Sequence, residues 1–299
     1  MRVFAASLAF ILFAQWSLPV TAQADSHLQM APASPWTVDY AQESCALRRS
    51  FTAGPDQAIL ELRAFGPGNN FEVTVASGTI SGSNSSVRTR FEPDDAFFAP
   101  SDAVFLSAGS LHAVRYTDSL KPAAVKGHSE SEPLPVWPEP EREARERTVT
   151  ALTIAGVAPK IMTLQTGPLD QPMVALRTCL DDLLKQWGLD PVVQRSLSRQ
   201  AEAIDQMAWA RRTQGGLPAD IIRAGGSGRT HLRLIVGADG KPTMCVPLRT
   251  TGAPAFGEYA CGVALKYACF EPALDAKGQP VGTVFSATVA YQTSKTRRE

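Results

Sequence analysis

The sequence lacks an excess of charge of either sign and lacks the short motifs that mark many enzymes. Its 29 basic and 29 acidic side chains cancel, so no whole-chain field favours nucleic acid as a partner. Only four histidines occur, and there is no GxSxG, HExxH or SxxK motif. No two cysteines form a CxxC pair, which argues against a zinc site or a thioredoxin-like site. We therefore expect no catalytic residue, no metal and no cofactor.

Long apolar runs are absent beyond the first residues. The chain opens with Arg2, an apolar stretch over 3–20, and the small-x-small triplet Ala22–Ala24 followed by Asp25. This order is typical of a secretory signal peptide over residues 1–24, with cleavage between Ala24 and Asp25. An uncleaved anchor in the inner membrane, facing the periplasm, is the alternative, because ~18 apolar residues just span a bilayer. Cleavage predicts a periplasmic protein without an integral membrane span.

Cysteine is scarce but informative. There are five, and an oxidising compartment favours two disulfides with one thiol left over. The sequence does not fix their pairing. The best local candidate joins Cys245 to Cys261, which closes a loop of about 15 residues worth about 3 kcal/mol in the chain-entropy model. By elimination, and because each lies at an apolar edge of the N-terminal region, Cys45 then pairs with Cys179. We expect Cys269 to be a small buried hydrophobic residue rather than a nucleophile.

The pattern over residues 25–190 predicts a β-rich domain of unknown type with one packed helix. Leucines at helical spacing predict that helix, with Asp170 as its cap and Gly188 at its end. Residues 127–147, rich first in proline and then in charge, are interpreted as a surface loop or spacer. Short strands separated by turn residues are predicted at 58–65, 71–77, 87–93, 111–116, 148–156 and 160–167.

Residues 191–228 are interpreted as a connector, and the pattern becomes clear again over residues 229–292. A strand, a hairpin at Asp239–Gly240 and a returning strand come first. Apolar spacing then predicts a helix that Pro272 ends, and a turn and a last strand follow before a basic tail at 293–299. This order predicts a small α+β domain in which one helix covers one face of a three-stranded sheet.

Alternation assigns the two faces of that sheet. Leu232 and Leu234 belong to an inner face, whereas His231 and Arg233 belong to the solvent side. Among the histidines, only His112 lies where a buried position is compatible with the pattern. For His112 a role in the core is favoured over a role in catalysis.

Three segments of the C-terminal region resemble the TonB C-terminal domain: LPADI, GRTHLRLIVGADGKPTMCVPLRTTG and CFEPALDAKGQPVG. The resemblance covers roughly residues 217–292 and implies a two-layer ββαβ fold. Some family members carry one cysteine on the second strand and one in the helix, and these match Cys245 and Cys261. The other matching features are Pro218, the hairpin Val236–Gly240, the small-residue turn Thr250–Gly252, the helix Phe256–Cys269 and the block Phe270–Ala273.

The resemblance implies a periplasmic module that contacts outer-membrane receptors by strand addition, in which an extended receptor segment pairs with an exposed sheet edge. We expect the last strand to be that edge, because it has no proline and no charge to blunt pairing. The predicted partner-binding residues are Val284, Phe285, Ala287, Val289 and Tyr291.

Two departures from the family guide the choice of function. TonB itself has an inner-membrane anchor and a long proline-rich spacer, whereas this chain has neither an evident retained anchor nor a spacer of that length. We therefore expect a periplasmic binding or adaptor protein linked to transport through an outer-membrane receptor. One alternative is an energy transducer with a retained N-terminal anchor. The other is an enzyme whose N-terminal domain gathers His112 with carboxylates or a free thiol.

Overall fold

The structure, a computed structural model, describes residues 27–81, 87–121, 139–224 and 227–291. The predicted cleavage position at Ala24 and Asp25, the proline-rich part of the predicted loop and the basic tail lie outside these residues. Within them the fold is mixed α+β with more strand than helix. Two hydrophobic cores form, one in the N-terminal half (residues 27–187) and one in the C-terminal half (residues 201–291).

A curled sheet of ten strands makes up most of the N-terminal half. Its strands are β1 (His27–Pro32), β2 (Thr37–Ala41), β3 (Ser44–Ala53), β4 (Asp56–Ala64), β5 (Asn70–Ser77), β6 (Arg88–Phe91), β7 (Val104–Ala108), β8 (Leu111–Ser119), β9 (Leu152–Ala155) and β10 (Ile161–Leu164). The spatial order is β6-β9-β10-β1-β3-β4-β5-β8-β7, with β2 paired to β3. Only the β1–β10 pair is parallel among these described strands. All six strands predicted for this half are present.

Two helices complete this half, α1 (Glu139–Thr148) and α2 (Asp170–Gln186). The apolar stripe of α2 is buried as its spacing predicts, through Met173, Leu176, Cys179, Leu180, Leu183 and Leu184. Asp170 is the first residue of α2 rather than its cap, because Leu169 occupies the cap position and makes no side-chain cap hydrogen bond. The Cys45–Cys179 disulfide joins α2 to β3, with the two Cα atoms 6.1 Å apart.

The interpretation of residues 127–147 as a loop is wrong for its last part, which forms α1. Pro140 is tolerated there because the first turn of a helix needs no N–H donor. One of the charges of α1 serves packing rather than solvation, since Glu146 is only 2% exposed. Its carboxylate accepts hydrogen bonds from Arg177 of α2 at 2.6 and 3.1 Å, so an ion pair ties the two helices together.

The remaining elements follow the N-terminal half in order. They are α3 (Pro191–Arg195), β11 (Glu202–Ile204), α4 (Gln206–Gly215), α5 (Ala219–Ala224), β12 (Gly228–Val236), β13 (Pro242–Thr251), α6 (Ala255–Tyr267), β14 (Cys269–Glu271), β15 (Ala273–Leu274), β16 (Pro280–Val281) and β17 (Thr283–Tyr291). The main sheet of the C-terminal half has the order β13-β12-β17, and both pairs are antiparallel. Helix α6 packs on β12 and β13. The predicted order of strand, strand, helix and strand is therefore present.

The inner face of this sheet forms the second core as alternation predicts, with Leu232, Leu234 and Val236 fully buried. The Cys245–Cys261 disulfide joins β13 to α6 across a Cα separation of 5.4 Å. Gly240 turns the β12–β13 hairpin at φ +75°, in the region that favours glycine. The Phe270 amide donates to the Gly240 carbonyl at 2.9 Å, so the hairpin also contacts the segment that follows α6.

Two boundary predictions for this half are corrected. Helix α6 ends at Tyr267 rather than at Pro272, because the next residues pair as β14 with β11. The predicted connector is not merely a linker, since Ala201, Trp209 and Ile221 are buried in the second core. The pairing of β14 with β11 and the burial of these connector residues leave no pattern in the local sequence, because this part of the chain has no strong periodicity.

Candidate functional site: the free edge of the C-terminal sheet

Strand β17 ends the three-stranded sheet, so one of its two edges has no strand partner within the described residues. It is nine residues long and contains neither proline nor a charged side chain. Its side chains alternate as predicted. Ala287, Val289 and Tyr291 are buried in the core, Phe285 is partly buried against it, and Val284 lies on the opposite face. The exposed positions are Ser286, Thr288 and Ala290.

Aromatic contacts hold β17 in a fixed register. The Tyr291 ring stacks on Phe256 with centroids 4.3 Å apart, and its hydroxyl donates to the Phe256 carbonyl at 3.1 Å. Burial raises the pKa of Tyr291, which keeps that hydroxyl protonated as a donor. Phe285 meets the Phe270 ring edge-on at 4.7 Å. The pairing with β12 continues without a shift from Thr283 to Tyr291.

The opposite edge of the sheet, β13, is built differently. It contains Pro242 and Pro247, which cannot donate a main-chain hydrogen bond to an added strand. Its pairing with β12 also shifts at two places, between His231 and Leu232 and between Ile235 and Val236. Prolines and bulges are devices that prevent pairing at natural sheet edges. The sheet therefore has one blunted edge and one continuous edge.

Side chains already hold the two ends of β17. The Gln214 amide donates to the Ala290 carbonyl, and the Gln194 amide donates to the Gly282 carbonyl at 2.8 Å. The Thr283 hydroxyl, which is buried, donates to Gln194 at 2.7 Å. Gln194 follows α2 and thus links the start of β17 to the N-terminal half. The stretch left for a further strand is the middle of β17, over residues 284–288.

Around Arg233 the second face of the sheet packs on the N-terminal half, which corrects the prediction that Arg233 lies on the solvent side. Ser286 and Thr288, on the same face of β17, stay exposed. Arg233 is 1% exposed, and its guanidinium lies 3.6 Å from the centre of the Trp187 ring. It also donates to the Glu43 carbonyl at 3.1 Å and forms an ion pair with the Glu43 carboxylate. Burial lowers the pKa of Arg233, and Glu43 opposes that shift. His231 is partly exposed, with its ring 5.7 Å from that of Phe65.

A second charged group crosses the same interface. Arg249 of β13 lies 2.5 Å from the Glu72 carboxylate, and Arg115 of β8 approaches the same carboxylate to 3.4 Å. Burial raises the pKa of Glu72, with the two arginines opposing the shift. Sequence reasoning missed this interface because alternating polar residues indicate a solvent face when each half is considered alone. The available signal was the cationic pair Arg233 and Arg249 on a single sheet face.

The residues considered for catalysis are not brought together. His112 is partly exposed, and its Nδ1 lies 3.0 Å from the Ser107 hydroxyl in the β7–β8 hairpin. Cys269 is exposed on β14, contrary to the expectation of a buried position, because its neighbour Phe270 occupies the inner face. The described residues contain no group of three acidic, histidine or cysteine side chains that could hold a metal ion.

Cavities in the described part of the N-terminal half include the following two. One, of about 40 Å³, lies between α1 and α2 beside Arg142, Glu146 and Arg177. The other is an open polar groove of about 310 Å³ that includes Arg90 and Glu92. Neither is lined by His112 or Cys269. These cavities therefore do not assemble the nucleophile and base that the enzyme hypothesis requires.

The two disulfides indicate an oxidising compartment, either extracellular or periplasmic. Among the helices of the described ranges, none combines the length and the apolar character needed to cross a bilayer. No family model, curated protein or solved structure that was compared with this chain matches it.

Proposed function

We propose that this chain is an exported periplasmic adaptor whose C-terminal half, similar to a TonB C-terminal domain, binds a protein partner by strand addition. The proposed partner is an extended segment of an outer-membrane receptor, paired with the outer edge of β17 through main-chain hydrogen bonds. Alternate side chains of that segment would lie against Ser286 and Thr288 on one face. The recognition would be of backbone and shape, with little dependence on charge.

The contrast between the two sheet edges carries the proposal. Proteins blunt the edges that must stay unpaired, and β13 has two prolines and two register shifts. Strand β17 has none of these and is pinned at both ends, so its middle is held in an extended geometry before any partner arrives. A preformed edge reduces the entropy lost on binding.

Contacts between separated motifs also support the resemblance. The hairpin glycine Gly240 and the block that begins at Phe270 touch, since the Phe270 amide donates to the Gly240 carbonyl. A side chain at Gly240 would collide with the Phe270 carbonyl, so these two sequence motifs depend on each other. Docking of Arg233 and Arg249 on the N-terminal half favours an adaptor over a transducer, because the module is held on a folded surface rather than on a spacer.

Site-specific photo-crosslinking tests the proposal. A benzophenone amino acid at Thr288 should capture an outer-membrane protein in cells, and the same probe at Ser107 of β7 should not. Ser286→Lys places a charge on the exposed face of β17 and should abolish capture, because a lysine guards natural edges. Met244→Lys, on the exposed part of β13, is the matched control and should leave capture intact. Capture that survives Ser286→Lys would contradict strand addition at β17.

A further inference from the structure

His231 lies between the two halves of the molecule. It belongs to β12, where its cross-strand neighbours are Arg249 and Thr288. Its Nδ1 is 3.1 Å from the Thr288 hydroxyl, and its ring is 5.7 Å from that of Phe65 in the N-terminal half. Directly opposite residues on one sheet face have Cβ atoms about 5 Å apart. The imidazole therefore shares its surroundings with a guanidinium.

Arginines outnumber carboxylates around His231. Arg249 lies over the same Phe65 ring, at 5.5 Å, and pairs with Glu72. Arg115 approaches Glu72 from β8, and Asp102, before β7, is the acidic group that acts on the imidazole. On β12 itself, Arg229 and Arg233 lie on the same face as His231. A proton on the imidazole would add a positive charge beside Arg249, where Glu72 is already shared by two arginines.

We infer that His231 makes the docking of the two halves sensitive to acid, so that a protonated imidazole loosens the C-terminal half from the N-terminal sheet. The contact at Phe65 would weaken first, because a charged ring there must lose water beside Arg249. The two halves would then be held together mainly by the contacts of Arg233 with Glu43 and Trp187. This inference concerns the docking of the halves and does not depend on strand addition at β17.

The direction of the pH effect follows from linkage. Burial is the main cause that lowers the pKa of His231 below its ordinary value of about 6.5; Arg249 adds to it and Asp102 opposes it. A histidine whose pKa is lower in the docked form than in the separated form favours docking above the separated pKa. The loss of that contribution begins as the pH falls below about 6.5, and it is complete once the pH has fallen through the lower pKa of the docked form. Glu72 acts oppositely, because burial raises its pKa and its protonation favours docking.

Calorimetry of the full chain tests the inference, because docked units unfold in a coupled transition and undocked units unfold separately. We expect one coupled transition of the wild type near pH 7.5 and two separate transitions near pH 5. The change from one to two should fall within about one pH unit of the ordinary pKa of histidine. His231→Gln removes the proton site and keeps a partner for Thr288, so its transition should stay coupled at both pH values. His112→Gln, which alters an exposed hairpin, is the matched control and should behave as the wild type.

Splitting of the transition in His231→Gln, or no splitting in the wild type, would overturn the inference. If the glutamine variant does not fold, NMR titration of the wild-type imidazole decides the question. His231 should then titrate below about 6.5, and the chemical shifts of Phe65, across the interface, should change over the same pH range. Titration at or above the ordinary value, or without a response from Phe65, would refute the proposed role.

Discussion

Removing each disulfide separately should reveal how the chain constrains its unfolded state. The Cys45–Cys179 bond spans 134 residues and the Cys245–Cys261 bond spans 16. In the chain-entropy model these loops are worth about 5 and about 3 kcal/mol. The loops do not overlap along the chain, so the two contributions are independent. We expect the Cys45→Ala/Cys179→Ala variant to lose about 2 kcal/mol more than the Cys245→Ala/Cys261→Ala variant.

Hydrogen exchange with mass spectrometry along a urea series measures this difference for each half separately. Peptides from residues 27–187 report the first core and peptides from 228–291 report the second, which is necessary because separate cores need not unfold together. Alanine is used at all four positions so that no hydroxyl is buried. The loss measured in the half that contains the bond should exceed the loss measured in the other half. Equal losses, or a larger loss in the C-terminal half, would refute the idea that loop length sets the contribution.

Two further predictions concern stability and use matched pairs of variants in urea titrations. Glu146→Gln should cost about 2 kcal/mol, because it leaves Arg177 without its carboxylate in a site where the glutamate is nearly inaccessible. Glu143→Gln, on the exposed face of the same helix, should change stability by less than about 0.5 kcal/mol, and an equal effect would contradict the buried pair. Gly228→Ala should cost about 2 kcal/mol or more, because the new methyl group meets a strand carbonyl and an aromatic ring. Gly262→Ala, in open space on α6, should stabilise by about 0.5 kcal/mol, so two changes of the same sign would be evidence against this packing.

The local parts of the fold could be predicted from the sequence because their signals are local. Alternation located β17 and its inner residues, and the leucine spacing located α2. The disulfide partners followed from a short spacing and from elimination, and the structure brings both pairs together. These features depend on neighbouring residues and on the number of cysteines.

The contacts between the halves could not be predicted, because they depend on which surface meets which. Arg233 has the alternation of a solvent-facing residue, yet it is buried in contact with Trp187 and Glu43, which are far away in the chain. Helix α1 was missed for a related reason. Its charged residues have no apolar stripe, and the buried position of Glu146 depends on Arg177.

The order of the cysteines along the chain has a consequence for how the protein matures. The first cysteine is bonded to the second, and the third to the fourth, with the fifth left over. A chain that enters an oxidising space N-terminus first presents its thiols in that same succession, so simple stepwise oxidation yields the native connectivity. Reshuffling by an isomerase is then needed only when Cys269 competes for Cys245 before Cys261 has reached it.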